Sequence, residues 1–442
     1  MDQEDRASEI ARTPGVVVSN AAVRAGDDVA DRVWMEVHST SSLIDSSLRS
    51  EYAFIIGEVG RGRQGSSMKI RGAVLTEIGQ QRPYAASRPL TVREVELDSP
   101  GPGEVLVRIE AAGVCHSDLS VVDGNRARPV PMLLGHEAAG IVEQVGAGVT
   151  DTDVGQRVVT VFLPRCGTCD NCRTEGRLPC SVGSEANGAG TLLGGARRLH
   201  LDGQDVNHHL GVSGFATHAV VNRRSIVPVG EDVPHDVAAL LGCAVLTGGG
   251  AVINAGRPAP GQDVMIVGLG GVGMAALLTA VALSLDSTPR GAVIGVDSNP
   301  DKLRRAEELG ATRVLSPAEV ADSGLKAPVV IEAAGHPRAF ETAVAATMPG
   351  GTTVTVGLPS PEARSEISPL GLTAEARSIV GSYLGSAVPS RDVPVFEQMW
   401  REGRLPVERL VTSRIPLDEI NMAMDDLADG RAVRQIIDLT HV

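Results

Sequence analysis

Val264-Met265-Ile266-Val267-Gly268-Leu269-Gly270-Gly271-Val272-Gly273-Met274 is the stretch whose reading sets the fold class. Four aliphatic residues read as a buried strand, a Gly-x-Gly-x-x-Gly turn follows at once, and an apolar helical run over 274–285 comes next. In that order they form a nucleotide-binding fingerprint. Gly268, Gly270 and Gly273 permit a tight turn, close backbone approach to a pyrophosphate, and close packing of helix on strand. The helix N-terminus then turns its positive end toward the phosphates. A lone glycine triplet is a weak signal. Here a second strand, Val293-Ile294-Gly295-Val296, ends on Asp297, twenty-four residues past Gly273. A carboxylate there can bond both ribose hydroxyls and repel a 2′-phosphate, so the pattern predicts NAD over NADP.

Outward from this stretch, aliphatic strands alternate with Ala/Leu-rich helices: strands over 263–267, 292–296, 327–331 and 352–356, helices over 271–284 and 300–309. That alternation implies βαβ units and a doubly wound parallel sheet, an α/β fold. Residues 69 to about 240 differ. Short Val/Ile segments broken by Gly and Pro, such as 105–109 and 139–145, give an all-β pattern. After about 384 the pattern is mixed. The expected division is 68–244, 245–383 and 384–442. Residues 1–67 mix acids, serines and short apolar stretches and end in a Gly/Arg/Gln/Ser-rich run. They are expected to be an extension that packs poorly. Met68 is the preferred natural start, and a disordered or regulatory tail is the alternative.

Composition narrows the classes. The chain has 442 residues, 43% hydrophobic and 21% charged, as a globular protein with a sizeable core has. Aromatics are 2%, so Val, Leu, Ile and Ala are expected to build that core. The net charge of -14 argues against general affinity for nucleic acid or anionic membrane. No apolar run reads as a membrane span, and the acidic start Met1-Asp2-Gln3-Glu4-Asp5 is unlike a secretory signal, so a cytoplasmic protein is expected.

Cys166, Cys169, Cys172 and Cys180 fall within fifteen residues. Four thiolates so spaced can wrap one tetrahedral zinc, a closed and therefore structural site. An iron–sulfur cluster is the rival, since it also takes four thiolates. Disulfides between such near neighbours would strain the loop. The two remaining cysteines are Cys115, in Gly113-Val114-Cys115-His116-Ser117-Asp118, and Cys243; His136 lies in Gly135-His136-Glu137-Ala138. A catalytic zinc takes three protein ligands and keeps one open position, which Cys115, His136 and Cys243 could supply. Cys243 read alone is equally a small buried core residue, and a lone His is more often a structural hydrogen-bonding group.

Together these segments resemble the zinc-containing medium-chain alcohol dehydrogenases, part of the medium-chain dehydrogenase/reductase superfamily. The likeness runs from Met68 to the C-terminus through GVCHSD, LGHEAAGIVEQVG, the four-cysteine lobe, GCAVLTGGGAV, GLGGVG and the tail ADGRAVRQII. The resemblance implies a GroES-like β-barrel catalytic domain with a Rossmann domain set between its two parts. It implies one catalytic and one structural zinc, NAD as cofactor, a small alcohol or aldehyde as substrate, and a homodimer or homotetramer. It makes Cys115, His136 and Cys243 the catalytic ligands, with Glu137 an acid close to the metal and Ser117 the hydroxyl that meets the substrate oxygen. By the same match His116, Thr247, Val272, Lys302 and Arg391 contact the cofactor, Arg391 near the pyrophosphate. Many members carry a His where this chain has Ser120, so the proton outlet differs. Residues 181–213 look like the longer loop of the glutathione-dependent branch.

The expected chemistry is interconversion of an alcohol with an aldehyde or ketone, hydride passing to NAD while Ser117 handles the hydroxyl proton. The rivals are a formaldehyde dehydrogenase acting on an S-hydroxymethyl thiol adduct and a non-catalytic NAD- and zinc-binding protein. His208 and His209 could line the cleft. His38, His200, His218 and His441 are expected at the surface or in structural bonds, and Asp425-Asp426 on a solvated helix face.

Overall fold

The computed structural model describes residues 67–441. The extension expected over 1–67 lies outside the described residues except for Ser67, and His38 lies outside them too.

Strands Ser67–Leu75 and Leu90–Asp98 pair antiparallel over their full length. Leu199–Leu201, Gln204–His208 and Met132–Leu133 close them into a barrel. A seven-stranded sheet shares its core through Leu106, Val220 and Ala216. Glu104–Val114 lies central in that sheet, paired with Ala138–Val145, His218–Asn222 and Gln435–Asp438. Gln435 stands opposite Val114 and Asp438 opposite Ala111, so the C-terminal segment braces the strand that delivers Cys115.

Six parallel strands make the second sheet, in the order Arg313–Leu315, Val293–Val296, Val264–Val267, Ala327–Glu332, Thr347–Thr355, Ser378–Gly381. The order runs outward in both directions from Val264–Val267. The crevice beyond that strand's carboxyl end is therefore the switch point where such sheets take ligands. All four residues of Val264–Val267 and of Val293–Val296 are buried, as strands covered on both faces require. The alternation expected from sequence is present with shifted ends. Thr347–Thr355 begins five residues ahead of the expected 352 because Thr347 already pairs with Ala327 across an irregularity. The aliphatic core is also present: the largest fully buried side chains are Phe215 and Phe396, then leucines, Ile109 and Met132.

Three expectations need correcting. Helix His235–Gly256 is long and apolar enough to cross a membrane, with a mean hydropathy of 1.8, but 89% of its most apolar window is buried inside the protein. It is a core helix, apolar because neighbours cover it all round. Residues 181–213 are not simply a loop: they hold helix Ser181–Ala189 and the hairpin that closes the barrel. Asp425 is not solvated. It is buried and accepts the Tyr84 and Ala85 N–H groups at 2.9 and 2.8 Å.

The core helix carries Cys243 and Thr247, and its approach to helix Gly271–Leu285 depends on Gly248. A Cβ there would stand 2.2 Å from the Val272 carbonyl oxygen. Gly→Ala in a helix interior ordinarily gains about 1 kcal/mol. Gly248→Ala should instead lose about 1–3 kcal/mol through overpacking, seen as a lower urea midpoint; an unchanged or higher midpoint contradicts this packing.

Candidate active site and metal centres

Helix His116–Val122 begins where strand Glu104–Val114 ends, which leaves Cys115 at the junction. Asp118 ties the neighbouring segments together. Its buried carboxylate accepts the Cys115 N–H at 3.1 Å, the Gly135 N–H at 3.3 Å, and His136 Nδ1 at 3.0 Å. With Asp118 as acceptor, Nδ1 carries the proton and the Nε2 lone pair is free. Nε2 stands 3.5 Å from Cys243 Sγ. Ligand atoms of Cys115, His136, Glu137 and Cys243 lie within 4.8 Å of one another, all buried.

The spacing fits a metal. Zn–S of about 2.3 Å and Zn–N of about 2.0–2.1 Å at the tetrahedral angle put S and N about 3.6 Å apart. The charge balance fits too. The hydrogen bond from Cys243, helped by Arg434 and His136, pulls Cys115 well below the usual thiol range, while Cys243 is pushed well above it. Burial works to lower His136, yet Asp118 and Cys115 outweigh it and raise His136 well above its usual value. Burial pushes Glu137 up to about 7 against the pull of Arg434. Neither Glu137 oxygen has a hydrogen-bond partner among the described residues, and Arg434 Nη1 stands 3.4 Å from one of them. A buried anionic group of this kind calls for a cation at its centre.

The four-cysteine lobe forms a second cluster. Cys166 and Cys172 Sγ are 3.9 Å apart, as are Cys169 and Cys180 Sγ, and all four sulfurs lie within 4.8 Å of one another. A tetrahedron of thiolates around one zinc has edges of about 3.8 Å. A multi-iron cluster would hold its thiolates further apart, so a single ion fits and the iron–sulfur alternative does not. Crowding splits the thiols. The Ser181 hydroxyl helps bring Cys169 down to about 5, and burial with thiol neighbours takes Cys172 up to about 12.

A cavity of about 710 Å³ opens above the first cluster. Cys115 and Cys243 line it, with Ser117, His116 and Thr247 beside them and Gly268, Gly270, Val272, Asp297 and Lys302 further along. A Cβ at Gly270 would meet nothing within 4 Å, which leaves a bare cradle at the N-terminus of helix Gly271–Leu285. Gly273 is not in the wall. It packs behind, where a Cβ would stand 1.8 Å from the Gly268 carbonyl oxygen. Asp297 is held by the Leu269 and Asn299 N–H groups at 2.7 and 2.9 Å.

Arg391 does not join this group. It is exposed on helix Pro389–Arg401, its guanidinium held by Asp392 at 2.9 Å. The buried cation at the turn is Arg434, whose Nε would stand 2.1 Å from a Cβ on Gly271. Sequence reasoning passed over it, although a basic residue inside the otherwise apolar end of the tail was a signal. His208 and His209 do not line the cavity: His208 Nε2 accepts the Arg198 N–H in the barrel, and His209 lies 3.2 Å from Asp118. Phe162 and Tyr383, also unforeseen, do line it. Phe162 meets His136 edge-on at 5.6 Å and Tyr383 at 5.8 Å. Ser120 is in the wall, its hydroxyl donating to the His116 carbonyl at 2.8 Å.

Residues 101–231 match the family model of the alcohol dehydrogenase GroES-like domain, and residues 271–402 match that of the zinc-binding dehydrogenases. A putative alcohol dehydrogenase D of Mycobacterium tuberculosis is 34% identical over 380 residues, covering 84% of this chain and all of the relative. The crystal structure of an alcohol dehydrogenase zinc-binding domain protein from Burkholderia ambifaria superposes with a TM-score of 0.77 at 30% identity, covering 85% of this chain and 100% of that one. Benzyl alcohol dehydrogenase of Acinetobacter calcoaceticus gives 0.75 at 30% identity, with 84% and 99% covered. The chain belongs to the zinc-containing medium-chain alcohol dehydrogenase family. Its fold is the GroES-like barrel joined to a Rossmann-type sheet.

Cys169→Ser should lower the metal content by one ion per chain and lower thermal stability before it alters kinetics. Full metal content with unchanged stability would contradict a structural ion in the lobe.

Proposed function

We propose that this chain is an NAD-linked dehydrogenase that interconverts an alcohol and an aldehyde or ketone at a zinc held by Cys115, His136 and Cys243. A second, structural zinc sits in the four-cysteine lobe. The observation that carries the reading is that one cavity is lined at once by Cys115, Cys243, Ser117, the glycine turn and Asp297. When bound, zinc acts as a Lewis acid toward the substrate oxygen and the nicotinamide exchanges hydride.

The chain's own groups do the rest. Cys115, His136 and Cys243 would hold the zinc, with the two sulfurs lining the cavity and His136 and Glu137 buried behind them, so substrate would approach from the cavity side. Asp118 fixes the His136 tautomer by accepting the hydrogen bond of its Nδ1–H. The Ser117 hydroxyl takes the substrate hydroxyl proton and hands it toward the cofactor ribose. Ser120 is occupied by the His116 carbonyl, so the proton leaves by way of water in the cavity. Thr247 and Val272, both in the cavity wall, would flank the nicotinamide. His116 and Arg434 face the pyrophosphate beside Gly270, with Arg434 in the role first assigned to Arg391. Lys302 and Asp297 hold the adenosine ribose, and the charge of Asp297 disfavours a 2′-phosphate. In this reading 68–244 and 384–442 form the catalytic domain and 245–383 the cofactor domain, with the hydride crossing between them.

His136→Ala should abolish NAD reduction by alcohols and remove one metal per chain while the lobe keeps its own; full turnover in this variant would refute the ligand set. Asp297→Gly should raise the ratio of kcat/KM for NADP to that for NAD by about tenfold or more. An unchanged ratio would show that Asp297 does not read the ribose.

A further inference from the structure

The cavity wall carries Arg126, Lys302, Arg338 and Arg434 but a single carboxylate, Asp297, in a chain whose net charge is -14. Three of these cations have a place at the nucleotide end. Arg434 abuts the glycine turn, Lys302 follows Asp297 on helix Pro300–Glu308, and Arg338 lies on helix Pro337–Ala345 of the parallel-sheet half.

Arg126 belongs elsewhere. It follows helix His116–Val122, and its N–H bonds the Ser120 carbonyl at 2.7 Å. Arg128 stands close behind it. Its Nη1 donates to the Asn187 carbonyl at 3.2 Å, but its buried Nε has no partner among the described residues. Burial pushes the Arg128 guanidinium down from its usual range, and Arg126 adds repulsion. Both guanidiniums act on Tyr383, which also feels Cys243. Tyr383 in turn packs edge-on against Phe162, and Phe162 against His136. Arg126 is thus in the cavity wall with Ser117 and Ser120, and Arg128 lies behind the wall, tied to Phe162 through Asn187, whose Nδ2 donates to the Phe162 carbonyl at 2.7 Å. No carboxylate among the described residues lies within ion-pair distance of either one. Two neighbouring guanidiniums left without a counter-charge repel each other, and an anion in the cavity beside Arg126 relieves that repulsion while accepting bidentate bonds.

Resting on the dehydrogenase reading of this cavity, we infer that the substrate is an amphipathic hydroxy acid or its aldehyde. Its reacting carbon sits at Cys115 and Cys243, its apolar middle lies against Phe162 and Tyr383, and its remote carboxylate is taken by Arg126 with Arg128 behind it. The reaction is unchanged: a C–H bond breaks as hydride passes to NAD, the hydroxyl proton leaves, and the carboxylate takes no part.

The test compares 6-hydroxyhexanoate with 1-hexanol in the zinc-loaded enzyme. The hydroxy acid should have a kcat/KM at least about tenfold higher, as a charge-assisted contact implies. Arg126→Gln should collapse that ratio toward one, and Arg126→Lys should keep most of it. A wild-type ratio near one, a ratio retained in Arg126→Gln, or a KM for NAD that rises in parallel in Arg126→Gln would overturn the inference. Should neither alcohol reduce NAD, the dehydrogenase reading itself falls. The anion site is then judged by hexanoate against hexanamide in quenching the fluorescence of the enzyme–NADH complex. Tighter hexanoate binding that is lost in Arg126→Gln supports it, and equal binding of the two overturns it.

Discussion

Burial of several acidic groups around one point, with Cys115 and Asp118 held toward the anion, is the constraint on which the site depends. Cys115, Cys243, Glu137 and Asp118 are all withdrawn from water near the seam between barrel and parallel sheet. Such a group is costly unless positive charge sits among it. The protein supplies one fixed cation, Arg434, and sets the ligand atoms of Cys115, His136 and Cys243 at the spacing that a second cation takes. Much of the architecture serves to hold these groups together. Strand pairing of Gln435–Asp438 with Ala111–Val114 brings Arg434 to the Cys115 junction. Asp118 locks the segments bearing Cys115 and His136 to each other.

The same arrangement joins the two halves. Helix His235–Gly256 brings Cys243 to the barrel side and packs Gly248 against the helix of the glycine turn. Arg434 reaches from Glu137 to Gly271 and so stands against both the acidic cluster and the nucleotide turn.

What could be read from sequence divides by range. The glycine turn and the four-cysteine lobe were legible because each is local: a strand, a turn and a helix in one unbroken run from Val264 to Leu285, and four thiols in one loop. The grouping of Cys115, His136 and Cys243 needed family resemblance, since nothing in their spacing says that they meet. Arg391 and Arg434 show the limit. Which of two distant arginines reaches the turn depends on where the last strand returns, and that is decided by pairing with Val114. The barrel hairpin 199–208 escaped notice because Gln204, Asp205, Asn207 and His208 look like loop residues. Asp425 looked solvated because backbone N–H groups from residue 84 onward, which it caps, leave no mark in its own segment.

A crystal of the NADH complex, with data collected at the zinc absorption edge, addresses the cluster directly. Two anomalous peaks per chain are expected, one among Cys166, Cys169, Cys172 and Cys180, the other about 2.0–2.3 Å from Cys115 Sγ, His136 Nε2 and Cys243 Sγ, with the nicotinamide facing its open side. A peak in the lobe alone, or a second ion bound elsewhere, would contradict the assignment.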